Sequence, residues 1–144
     1  MLEVAGYQVF CRCSLRTFKK DIIVGIGACL YRIRRPDPMA VFANRLRVGM
    51  PLQTDPTVIY GMGDSYTGRI RKKDLQTDTP YNTYTRMGLP PTPISLPGVA
   101  SLQAAMNPAQ STALYFVSRG DGSSIFSDTL GDHNKAVDKY IRGQ

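Results

Sequence analysis

The residues predict an α+β domain: several short helices with one small antiparallel hairpin. Helix-spaced apolar runs recur without the regular strand–helix alternation that a parallel sheet needs. The last third, by contrast, reads as strand, turn, strand and then helix. With 10 prolines and 13 glycines in 144 residues, the chain is cut into short elements.

Taken in order, Arg35-Pro36-Asp37-Pro38 breaks whatever precedes it. Met39, Val41, Phe42, Leu46 and Val48 then space the apolar positions of an amphipathic helix, leaving Asn44, Arg45 and Arg47 towards solvent or a cleft. Gly49 ends that helix and Pro51 prevents its continuation. Thr54 or Asp55 caps a helical turn that opens with Pro56, carries Thr57, Val58, Ile59 and Tyr60, and is closed by Gly61 and Gly63. Residues 64–97 are expected to be loop-rich, with Arg69 to Asp74 a charged surface stretch. Gly88-Leu89-Pro90-Pro91-Thr92-Pro93-Ile94 must be extended, because each proline drives its predecessor out of the helical region. Such a segment either walls a groove or crosses between elements. Val99 to Met106 is a short helix stopped at Asn107-Pro108. Leu114 to Val117 and Ser124 to Phe126 form the hairpin around Arg119-Gly120-Asp121-Gly122, and Asp128 to Ile141 is a helix carrying His133 and Asn134. No internal repeat is visible.

Composition narrows the function classes. The length fits one domain with a real core. The net charge of +7 is concentrated in residues 1–50, where nine Lys/Arg face three acids; residues 51–144 hold nine against eight. Without an aromatic ladder or a known motif, this basic front reads as a solvated face, and nucleic acid is disfavoured as a partner. Cys11, Cys13 and Cys29 are an odd set that closes no disulfide framework, and Cys11 and Cys13 lack the Cys-x-x-Cys spacing of a zinc site. No metal site and no cofactor is implied. Met1 to Phe10 has no signal-peptide pattern. The apolar run from Ile22 to Leu30 is far shorter than the roughly 20 residues a membrane-spanning helix needs. The chain as given is therefore expected to be soluble, without anchor or export signal.

Several linked motifs carry a resemblance. Val41-Phe42-Ala43-Asn44-Arg45-Leu46-Arg47-Val48-Gly49-Met50 runs straight into Pro51-Leu52-Gln53-Thr54-Asp55-Pro56-Thr57-Val58-Ile59-Tyr60-Gly61. Tyr81-Asn82-Thr83-Tyr84, the Gly88 to Ile94 segment, Tyr115-Phe116-Val117 and His133-Asn134 follow at suitable spacing. Together they resemble the catalytic domain of the endolytic murein transglycosylases (the YceG-like family) over about residues 39–140. The resemblance implies an incomplete version of that domain over 39–144. Residues 1–38, basic and cysteine-bearing, do not match, and are expected to be a segment read in a wrong frame or a decayed remnant, with a genuine shortened paralogue as the alternative.

What the resemblance implies is cleavage of peptidoglycan glycan strands between N-acetylmuramic acid and N-acetylglucosamine. In such enzymes one glutamate protonates the departing glycosidic oxygen. It then takes the proton of the muramyl C6 hydroxyl as that oxygen closes onto C1, leaving a 1,6-anhydro end. One carboxyl suffices because the substrate supplies the nucleophile, unlike ordinary glycosidases. Here the position falls near Gly25 or Ile26, and after Glu3 the chain holds no glutamate at all. Asp21 is the nearest acid, several residues away and a methylene shorter. The expectation is an impaired transglycosylase with no catalytic residue of its own.

Substrate-binding candidates are Asn44, Gln53, Asp55, Tyr81, Asn82 and Tyr84. Gln53 and Asp55 match the family's Gln-Thr/Ser-Asp-Pro element, and Tyr81, Asn82 and Tyr84 its Tyr-Asn-Thr-Tyr element. Amides and carboxylates suit sugar hydroxyls and N-acetyl groups, and tyrosines stack on pyranose faces. Plainer readings stand beside these: Asp55 as a helix cap, the tyrosines as core, and Asn44 and His133 as half-buried polar side chains. The family is membrane-anchored with its catalytic domain outside the cytoplasm, and the implied partners are glycan strands and proteins of wall synthesis. A non-catalytic glycan-binding or wall-assembly module is the alternative.

Overall fold

The computed structural model describes residues 36–143. Five α-helices occur among them: α1 (Pro36–Val48), α2 (Asp55–Met62), α3 (Lys72–Gln76), α4 (Val99–Met106) and α5 (Leu130–Val137). A 3-10 turn, Gly63–Ser65, follows α2, and a π turn, Asp138–Arg142, continues α5. The strands β1 (Tyr115–Ser118) and β2 (Ser124–Ser127) pair antiparallel, with Tyr115 opposite Ser127 and Ser118 opposite Ser124. This is the α+β class the sequence predicts. No helix among the described residues is long and apolar enough to cross a membrane.

Helix α1 is the central element, held between α4 and β1. It begins at Pro36, ahead of the expected Met39, because prolines in a first turn cost no hydrogen bond. The expected boundary between residues 38 and 39 therefore lies inside this helix. Its middle is covered on more than one side, so Met39, Ala40, Val41 and Phe42 are all buried. Two polar residues share that burial. Asn44 and Arg45, expected to face solvent or a cleft, are 6% and 8% exposed, whereas Val48 is 55% exposed where the last turn outruns its neighbours.

Hydrogen bonds explain the exchange. The Asn44 amide donates to the carbonyls of Ser111 and Ala113 at 2.8 and 3.0 Å, and its Oδ1 accepts from Arg47. Arg45 Nε donates to Leu114 O at 2.7 Å. Both side chains thus fasten the lead-in of β1 along the helix, and buried polar groups are tolerable when paired in this way. Gly49, at φ 71°, ends α1 in a left-handed turn: its N–H reaches Leu46 O, and Met50 N–H reaches Arg45 O.

Met39, Phe42, Leu52 and Ala105 form the core cluster, with Leu46, Leu89, Ile94 and Phe116 packed on it. Phe42 meets Phe116 edge-on at 5.9 Å. Burial of each such large side chain is worth about 1.5–3 kcal/mol. Leu89 and Ile94 belong to the proline-rich stretch, which thus crosses over the apolar cluster.

Thr54 is the N-cap position of α2 but makes no side-chain cap, and Asp55 lies in the first helical turn. The threonines bind one another instead. Thr57 Oγ1 donates to Thr54 O, lies 2.8 Å from Thr83 Oγ1, and accepts from Thr54 Oγ1; Thr54 N–H donates to Thr83 Oγ1. This knot ties the start of α2 to the turn at residues 82–84. Gly61 sits inside α2, and Gly63 alone closes the helix, at φ 53°. The charged stretch after Arg69 contains α3, started by Asp74 Oδ2 accepting from Arg71 N–H at 2.7 Å. Helix α4 has the expected limits. Helix α5 starts two residues later than expected, with Thr129 Oγ1 accepting from Asp132 N–H as its cap, and packs against both strands.

Candidate functional site

An open cleft of about 410 Å³ lies where α1, the 52–56 segment, Tyr84, β1 and α5 meet. That volume falls within the roughly 300–1,000 Å³ of small-ligand sites. Phe42, Leu52, Pro56 and Phe116 supply apolar surface; Arg45, Gln53, Thr54, Asp55, Tyr84 and His133 supply polar groups.

The loop from Pro51 to Thr54 is held in an unusual shape. Gln53 has φ 53°, the one left-handed non-glycine among the described residues. Such a conformation is costly for most side chains and persists only where neighbours impose it. Here Gln53 N–H donates to Thr83 O at 3.1 Å, and Gln53 Oε1 accepts from Arg45 Nη1 at 3.1 Å. Arg45 Nη1 also donates to the carbonyls of Pro51 and Leu52. The arginine therefore ties α1 to the 51–53 loop and to the residue that leads into β1.

Its guanidinium lies 5.1 Å from the centre of the Tyr115 ring, and His133 stacks on that ring at 5.3 Å. Burial lowers the Arg45 pKa from its ordinary value. Burial, and then the Arg45 charge, push the His133 imidazole below its usual range. His133 Nδ1 is buried without a hydrogen-bond partner among the described residues. On the cleft's other side the Tyr84 hydroxyl donates to Asp55 Oδ1 at 2.6 Å. Burial first, and then that bond, raise the Tyr84 phenol well above 10.0 and keep it protonated.

Three of the six predicted site residues, Gln53, Asp55 and Tyr84, line this cleft together. The other three do not. Asn44 turns from α1 to the lead-in of β1, with its amide on backbone carbonyls. The Tyr81 hydroxyl pairs with Thr92 Oγ1, and its ring meets Tyr60 edge-on at 4.7 Å. Asn82 is fully buried: its amide donates to the carbonyls of Leu75 and Thr77 at 3.1 and 2.7 Å, and its Oδ1 accepts from Tyr84 N–H at 2.8 Å. Asn82 thus folds the turn that presents Tyr84. His133, balanced in the sequence between cleft and packing, faces the cleft. Arg45 was not among the candidates, although it follows Val41 by four residues and Phe42 by three and so shares their stripe. Gly25, Ile26, Asp21 and the three cysteines fall outside the described residues.

A small α+β unit with an open cleft of amide, hydroxyl, carboxylate and aromatic groups is a domain suited to a polar ligand. The chain belongs to the YceG-like family, whose model matches residues 35–139. It is 49% identical over 102 residues to an endolytic murein transglycosylase of Bacillus subtilis, a match covering 71% of this chain and 28% of the relative. It is 30% identical over 109 residues to an endolytic murein transglycosylase of Streptococcus pneumoniae, covering 72% of this chain and 20% of the relative. The chain thus spans under a third of the length of these curated relatives. A crystal structure of a YceG-like protein from Listeria monocytogenes superposes with a TM-score of 0.69 at 41% identity, covering 78% of this chain and 38% of that one.

Proposed function

We propose that this chain carries the glycan-holding cleft of an endolytic murein transglycosylase, and that it binds murein strands while cleaving them poorly or not at all. The observation that carries the reading is the convergence of Gln53, Asp55 and Tyr84, from two separate sequence elements, on one open cleft. Relatives named murein transglycosylases supply the ligand class.

The chemistry assigns each group a task. Gln53 Oε1 is held by Arg45, and its amide nitrogen, without an acceptor among the described residues, can donate to an N-acetyl carbonyl. Asp55 accepts from sugar hydroxyls through the oxygen that Tyr84 leaves free. Phe116 and Pro56 offer apolar surface to pyranose faces. Cleavage needs a proton on the departing oxygen, which a positioned acid supplies at about 100- to 10,000-fold in rate. The only carboxyl lining the cleft among the described residues is Asp55, and no glutamate follows Glu3.

Calorimetric titration of the full chain with peptide-free murein glycan strands tests the reading. Binding should saturate at one strand per cleft. Asp55→Asn and Gln53→Ala should each weaken it about tenfold, the worth of a hydrogen bond of about 1.4 kcal/mol. Absence of binding, or binding indifferent to both substitutions, would sink the proposal.

A further inference from the structure

Arg45 is a charged group with no ion-pair partner among the described residues. It is 8% exposed and lines the cleft, yet it forms no salt bridge with any carboxylate among the described residues. Its Nε and Nη1 are spent on three backbone carbonyls and the Gln53 amide oxygen. That leaves Nη2 without an acceptor among the described residues. Carbonyl dipoles offset part of the cost of burying a cation, but they do not neutralise it. The cleft's own carboxylate, Asp55, is engaged by Tyr84 instead.

We infer that Arg45 makes this cleft a receptor for a carboxylate borne by the glycan strand, so that the ligand is an anionic saccharide and not a neutral one. The inference rests on the murein reading above and sharpens it. A guanidinium holds a carboxylate through charge-assisted hydrogen bonds, and it is already fixed in place by its other nitrogens. Little entropy remains to be lost on binding. His133 shares the cleft with this charge: burial first, and then Arg45, lower its imidazole pKa. In murein the carboxylate has two sources: the lactyl group of muramic acid where the peptide has been removed, and the stem peptide where it has not.

Because Arg45 also holds three carbonyls, replacing it would confound folding with binding, so the charge is removed from the ligand. The unmodified full chain is titrated with four preparations: peptide-free strands, the same strands with lactyl carboxyls converted to methylamides, peptide-bearing strands, and peptide-bearing strands amidated likewise. The inference expects at least one acid form to bind about tenfold tighter than its own amide. A difference within the peptide-free pair assigns the lactyl group, and a difference confined to the peptide-bearing pair assigns the stem. Equal affinity of acid and amide in both pairs overturns the carboxylate receptor while leaving the glycan cleft standing. No binding by any preparation overturns both.

Discussion

Asn82 is the residue whose removal should cost the most for its size. Truncation to alanine strands the carbonyls of Leu75 and Thr77 and the N–H of Tyr84, all within 3.1 Å of the amide now. A buried polar group left without a partner costs about 1–3 kcal/mol. The carbonyls are partly buried, so water returns to some of them and about 1 kcal/mol each is the fair figure. The sum is about 3 kcal/mol. For a chain of this size each kcal/mol lowers Tm by about 3–4 °C, so Asn82→Ala should melt about 10 °C below the parent. Thermal unfolding followed by circular dichroism measures this. Asn82→Asp is the sharper companion: it keeps the acceptor for Tyr84 N–H but turns a carboxylate towards two carbonyls, and should be at least as unstable. If Asn82→Ala loses less than about 1 kcal/mol, the residue is not the pin of its turn, and a role in the cleft must be reconsidered.

Other consequences are as direct. His133 is the sole histidine, so one imidazole titration in the NMR spectrum is unambiguous, and its midpoint should lie below 6.5. Since the unfolded chain takes up that proton first, the histidine's contribution is complete above pH 6.5 and falls as pH drops below it; a midpoint at or above 6.5 would contradict the buried geometry. A Cβ at Gly61 would lie 2.5 Å from Thr79 Oγ1, so Gly61→Ala should cost about 1–3 kcal/mol, and adding Thr79→Ala should recover part of it in a double-mutant cycle. Arg86 and Thr85 hold the Asp78 carboxyl down at about 2, so its small stabilising effect is present above 3.8 and fades as pH falls towards 2; Asp78→Asn should differ from the parent at pH 5 and converge with it in strong acid. Burial and Asp55 raise the Tyr84 phenol, so the unfolded chain ionises first as pH climbs past 10.0 and stability declines there; Tyr84→Phe should flatten that alkaline decline.

The parts of the fold that were legible in the sequence are those set by local chemistry. Pro97-Gly98 and Asn107-Pro108 bracket α4 at its observed limits, and glycines between two β-rich runs mark the hairpin. What escaped depends on partners far along the chain. Arg45, expected towards solvent or a cleft, does line the cleft, but its burial was not legible, because Leu114, 69 residues away, supplies a carbonyl that makes that burial tolerable. Helix α3 was hidden in a charged run because a single Asp74 cap starts it. For the cleft, the elements around Gln53 and Tyr84 were recognisable by their residues. That Tyr84 turns inward to Asp55 while Tyr81 turns away to Thr92 is decided by the packing of Asn82 beneath them.

We propose a cleft that holds a murein strand without the acid to cut it. The most direct test incubates the full chain with peptide-free murein glycan strands, at protein in excess, and follows both strand retention and 1,6-anhydromuramic ends by mass spectrometry. Retained strands with no rise in anhydro ends over the protein-free control are the predicted result. Anhydro ends that accumulate with the chain, and vanish when it is omitted, would mean that these residues supply an acid after all.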